Sequence, residues 1–244
     1  MLRRTLTFVS AALVLVASPT LAQEKAGVRE GFEEAQISGE TIVLFRPDVM
    51  VGEQSTGGIP EPRAEWTDEA RRLMDAELRE TQSRLSNQIV TMPTLYGEDA
   101  VALAEHQALF GVVSSAIIEY QFFAGNRLPT RKKGAFDWTL GAGTQRLAEL
   151  SGARYGLFIQ TEDQYGSTGR KIAQIAAAGL LGIGITSGVH KGAAGLVDLQ
   201  TGNILWLNAD LQMGGDVREA DGMKKRVRQL LEDFPGSVPA EDGE

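Results

Sequence analysis

A chain that opens on an export leader and contains no cysteine must hold its fold together by packing alone. Arg3 and Arg4 give a positive start, and Leu6 to Ala17 form an apolar run of about a dozen residues. Thr20 and Ala22 then place small residues where a leader peptidase requires them. The run is shorter than the roughly 20 apolar residues of a permanent membrane helix. Residues 1–22 therefore read as a signal peptide, and the working protein is expected to begin near Gln23 in the periplasm. Cleavage removes two arginines and no acid, so the net charge moves from −8 to −10. This acidic balance argues against general affinity for nucleic acid, which needs clustered Lys and Arg. Without cysteine, a lipid anchor on the residue after the leader is excluded as well.

The body of the chain alternates between strand and helix signals. Residues 23–39 are polar and expected to be flexible. Glu40 to Val51 holds two β-rich runs split by Arg46-Pro47, read as strand, bend and second strand. Residues 52–65 carry Gly57-Gly58 and two prolines, the marks of a loop. Thr67 to Ser86 has helical spacing, with Ala70, Leu73, Met74 and Leu78 on one face. Gln88 to Met92 reads as a short strand. A longer helix is expected over Glu98 to Phe123, with Val101, Ala104, Leu109, Val112, Val113, Ile117 and Tyr120 inward. A third is expected over Trp138 to Leu150, ended by Gly152. Tyr155 to Thr161 reads as a strand and Lys171 to Val189 as an apolar, Gly- and Ala-rich stretch. Gly192 to Leu199 and Asn203 to Gln212 form a hairpin about Thr201-Gly202, with Leu205, Leu207 and Leu211 toward the core. Asp216 to Asp233 is a final helix, and residues 234–244 an acidic, disordered tail. The expected fold is a single α/β domain over 40–233, with a mixed β-sheet, a C-terminal-half β-hairpin and flanking helices.

Chemical motifs fail one by one. Gly182-Ile-Gly184 follows an apolar run instead of a strand, which is wrong for a dinucleotide loop. Gly184-Ile-Thr186-Ser-Gly188 has threonine where a nucleophile elbow needs serine. His106 and His190 are the only histidines and stand far apart, which leaves little for a metal. The catalytic, cofactor and metal sets are accordingly expected to be empty. Arg127, Arg131, Lys132 and Lys133 make the one dense basic loop, a possible interaction surface for an anionic partner. The uncharged run Ile175 to Val189 is too short to span a bilayer. Residues 172–189 are expected to pack inside the protein, and integral membrane insertion is not expected.

Residues 42–66 (IVLFRPDVMVGEQSTGGIPEPRAEW) resemble the opening of a group of uncharacterised exported proteins and lipoproteins of proteobacteria. Residues 153–207, with ARYGLFIQTEDQYGSTGRK and GLVDLQTGNILWLN, resemble that group's second half. The element order is also similar to a wider envelope set. That set holds the curli-secretion lipoproteins, the lipoprotein activators of penicillin-binding proteins and the amino-terminal domain of the Tol-system propeller protein. The resemblance implies a compact α/β domain that acts by contact with an envelope protein partner and without catalysis or cofactors. The alternatives are a periplasmic hydrolase using carboxylates the sequence does not single out, or a membrane-associated component inserting residues 172–189.

Overall fold

The computed structural model describes residues 24–82, 85, 87–123, 126, 134–181 and 188–236. These residues build one mixed eight-stranded sheet with helices on both faces. The strands are β1 (Glu24–Val28), β2 (Thr41–Leu44), β3 (Asp48–Gln54), β4 (Pro60–Pro62), β5 (Gln88–Thr91), β6 (Tyr155–Gly166), β7 (Val189–Asp198) and β8 (Ile204–Asp210). The helices are α1 (Ala64–Gln82), α2 (Gly97–Ile117), α3 (Gln145–Ser151), α4 (Thr168–Leu181) and α5 (Ala220–Leu230). The α/β class and the hairpin in the C-terminal half are as the sequence led us to expect.

At the centre lies β6, with β7 antiparallel on one side from Tyr155↔Asp198 to Gln164↔Val189. On its other side β2 and β3 both run parallel to it, as one edge interrupted at Phe45-Arg46-Pro47. Leu44 pairs with Leu157 and Asp48 with Gln160, so β2–β3 carries one residue more than β6 across the break. Pro47 has no N–H for a ladder and sits where none is required. The β7–β8 turn uses Gly202 at φ +76°, with its Cα against the Gly141 carbonyl so that a Cβ has no room.

Two cores flank the sheet. Under α1 and α5 lie Val49, Val51, Leu157, Ile159 and Trp206, met by Ala70, Met74 and Leu78 of α1 and Met223, Val227 and Leu230 of α5. The α1 and α5 spacings of three and four are those of one buried helix stripe. The Thr67 hydroxyl ties α1 to β3 by exchanging bonds with the Val51 N–H and carbonyl, 3.1 Å each. Under α2 and α3 the Phe45, Phe158 and Phe110 rings stack in series, with centroids 4.4 and 5.3 Å apart. Val43, Val197 and Leu207 complete that core.

Several expectations need correction. Within the polar segment expected to be flexible, Glu24–Val28 form β1, which pairs with β8 from Glu24↔Asp210 to Val28↔Trp206. Its backbone bonds are a sufficient reason for order that hydropathy alone does not reveal. The loop at 52–65 is a hairpin instead, because β3 continues to Gln54 and pairs Gly52↔Pro62 and Gln54↔Pro60 with β4 at a sheet edge. Trp138 to Leu140 is not helical but is held by bonds to the β7–β8 turn, and Gly141 at φ +80° separates it from the helix. Leu207 is buried under α2 as expected, but a bulge in β8 leaves Leu205 without a β7 partner, and it packs with Trp206 in the α1/α5 core. Asn208 and Asp210 are buried too. Leu211 is only half-buried. Phe234, assigned above to the tail, packs edge-on against Trp206 at 5.3 Å.

Candidate interaction surface

Helix α2 crosses the sheet with a narrow inner contact. Phe110, Ser114 and Ile117 are its buried residues. Gly195 on β7 permits the approach, since a Cβ there would lie 2.5 Å from the Phe110 ring. Gly111 passes over Gln160, whose amide donates to the Ser114 hydroxyl at 2.9 Å. After Ile117 the helix widens into a π turn, Ile118–Phe122. The Lys25 ammonium fastens that turn to β1 through the Phe122 carbonyl and lies 4.7 Å from the Phe123 ring centroid.

The outward side of α2 is equally apolar, which reverses part of the expected orientation. Val101, Leu109, Val112 and Tyr120 are exposed, Val112 by 69%. Ala104, Ala108 and Ser115 share that surface. From Gln107 to Ile118 the helix and the start of its π turn have no charge, and Glu105 and Glu119 bracket that run. With its π turn, Gly97–Phe122 is long and apolar enough to cross a membrane. Its buried anchors and the Gln160–Ser114 bond nevertheless bind it to the sheet.

Beside the stripe opens a cavity of about 440 Å³. Asp48 and Met50 of β3, Ile118 and Leu211 line it, and the Glu162–Lys191 ion pair at 2.8 Å sits in its wall. The pair also explains why β6 runs past Thr161 into polar sequence. Glu162 and Asp163 each meet a partner within the sheet or under α5.

The opposite face of the sheet holds a buried ionic cluster. Asp163 and Arg226 are both fully buried and joined in a two-pronged pair at 2.7 and 2.8 Å. His190 Nδ1 lies 2.8 Å from the same carboxylate, and its ring packs on Tyr165 with centroids 4.9 Å apart. Outside that layer the Arg218 guanidinium covers the Tyr165 and Trp66 rings at 3.9 and 4.5 Å. Arg218 also grips Asp216 at 2.5 Å. The Tyr165 hydroxyl accepts the Val217 N–H at 3.0 Å. Burial, then the Asp163 charge, raises the Tyr165 pKa. The hydrogen bond from Arg218 holds the Asp216 carboxyl down to about 2 against burial. A carboxyl depressed in the fold stabilises it above the ordinary carboxylate pKa, and this contribution disappears as pH falls from about 4 to 2. Asp216 is about a third exposed, so screening reduces its effect to about 1 kcal/mol. Asp216→Asn is therefore expected to flatten the pH 4-to-2 limb of urea stability by that amount. An unchanged acid limb would refute the linkage.

The Asp163–His190 pair is the arrangement most like chemistry, yet Arg226 occupies both oxygens of the carboxylate. Among the described residues no group of three metal-ligating side chains comes together. His106 Nδ1 lies 2.7 Å from its own helix's Ala102 carbonyl.

The run 172–189 departs from expectation where it is described. None of the α4 residues 168–178 is buried, and Ile172 and Ile175 are 64% and 74% exposed. Its small residues divide, Ala173 and Ala177 half-buried and Ala176 and Ala178 exposed; residues 182–187 lie outside the described set. Arg127, Arg131, Lys132 and Lys133 also lie outside it. The α2 surface was missed because a helix apolar all round has no periodicity to say which side faces in. The ionic cluster joins residues 63 positions apart, beyond any local pattern.

No protein-family model matches the sequence, and no curated protein matches it significantly. Among solved structures the chain is similar to a PelC dodecamer from Paraburkholderia phytofirmans, at 10% identity and a TM-score of 0.37, over 86% of this chain and 97% of that one. It is similar to a lipoprotein from Neisseria meningitidis at 15% identity and a TM-score of 0.32, over 79% and 95% of the two chains. The C-terminal domain of LpoB from Salmonella enterica shows 12% identity and a TM-score of 0.29, over 75% and 88%. These are distant structural neighbours with no family shared at the level of sequence.

Proposed function

We propose that this chain is an exported, non-catalytic accessory protein of the cell envelope, working in the periplasm through a protein partner. The outward face of α2 is its contact surface. That exposed stripe, uncharged from Gln107 to Ile118, is the observation that carries the reading: side chains such as Val112 gain by leaving water, and none of the described residues buries them. The leader-like residues 1–22 support export, and the commitment of Asp163 to Arg226 supports a structural role for the Asp163–His190 pair. A bilayer is a weaker occupant. Moving α2 into lipid would strip Phe110 and Ile117 from the core under the sheet.

A photo-crosslinking residue at Val112 tests this in intact cells. The expected result is a discrete protein adduct from the periplasmic fraction, with none from the same probe at Arg72 on the far side of the sheet. Adducts to lipid alone, or equal adducts from both positions, would overturn it.

A further inference from the structure

Two of the described helices, α2 and α4, present exposed apolar outer faces, and the charges these helices carry are opposite. Helix α2 and its π turn carry Glu98, Asp99, Glu105 and Glu119 and no Lys or Arg, with Asp99 paired to Arg146 at 2.6 Å. Helix α4 carries Arg170 and Lys171 and no acid. On α4 the exposed residues Thr168, Lys171, Ile172, Ile175 and Ala176 fall at the helical spacings of one side, while Ala173, Gln174 and Ala177 are half-buried. On α2 the exposed side reads Val101, Ala104, Glu105, Ala108, Leu109, Val112 and Ser115. We infer that copies of this chain associate head to tail, with the outer side of α4 on one copy lying along the outer side of α2 on the next.

The match holds in position as well as in kind. Lys171 precedes Ile175 by four residues, and Glu105 precedes Leu109 by four, about 6 Å along each helix at 1.5 Å per residue. Laid parallel, the two helices make the ion pair and the apolar contact at once. Ala108 and Ser115 on one side and Ala176 on the other are small enough for close approach. Among the described residues Lys171 has no ion pair within its own chain. Two α2 helices facing each other would bring carboxylates together, and two α4 helices would bring cations together, so like-with-like pairing is disfavoured. The contact uses two different surfaces, so it continues from copy to copy until a ring closes or a filament grows.

This inference rests on the α2 face being a contact surface, and one experiment separates the two claims. The full chain is expressed and the purified product is run in sedimentation velocity across a concentration series. Val112→Glu spoils the α2 side and Ile175→Glu the α4 side, both at exposed positions where the circular dichroism spectrum and melting temperature should match the parent. The parent is expected to associate, and each variant to weaken association at least about tenfold. Mixing the two variants should restore a one-to-one dimer that goes no further, since one intact side of each kind remains. A parent that stays monomeric overturns the inference, as does a mixture that stays monomeric or an Ile175→Glu chain that associates normally. If it falls while the Val112 crosslink captures a different protein, the contact surface stands with another occupant. If Val112 captures no protein, both fall.

Discussion

Arg226→Met is expected to cost about 3–5 kcal/mol of stability, because it leaves the Asp163 carboxylate fully buried without its counter-ion. His190 remains beside one oxygen, but it is one-quarter exposed and replaces only one of the two prongs. The loss belongs to the orphaned charge and not to the pair as such. Arg226→Met combined with Asp163→Leu should therefore recover most of it, since apolar residues of similar volume fill such a site well. Urea unfolding of the two single variants and the double variant measures the coupling. If the double variant is as unstable as Arg226→Met alone, shape and not charge governs the site.

Leu207→Asp is expected to abolish folding at 37 °C or to cost more than about 4 kcal/mol, because Leu207 is fully buried among Val197, Phe110 and the α2 core. Its neighbour Asn208 is no silent control. It is 1% exposed, and its amide donates to the Gln229 carbonyl of α5 at 2.7 Å. Asn208→Ala should cost about 1–3 kcal/mol by leaving that acceptor unmet. Thermal melts that rank Asn208→Ala as neutral would mean that α5 does not cover this face.

The sequence revealed elements wherever a local rule was sufficient to define them. The bend at Arg46-Pro47, the Gly152 stop and the Thr201-Gly202 turn each follow from one residue's backbone preference, and each is found in place. What escaped was set by partners distant in the chain. The segment at β1 is polar and becomes a strand only because β8 offers an edge. The polar half of β6 stays in the sheet because Lys191 and Arg226 arrive from elsewhere. Alternation along β8 suggested one wet face, but α5 covers it. The same gap hid the candidate surface. The apolar residues of α2 and α4 were assigned to the interior on hydrophobicity, and only the fold shows which of them, such as Val112 and Ile175, are exposed.

The parallel pairing of β2 and β3 with β6 also dictates an order of events. Ile42 and Tyr155 are neighbours in the sheet but about 110 residues apart in the chain. Closing so long a loop is entropically expensive before other contacts reward it, whereas β6, β7 and β8 reach each other through shorter connections. The C-terminal meander should thus form the template, and the strands made first should dock last. Until Tyr155 to Gly166 has emerged and folded, β2 can pair only with β5 and β3 only with β4, and the side of both strands that faces β6 stays open. For that interval the nascent chain is at its most adhesive, and a holding chaperone would have most effect then.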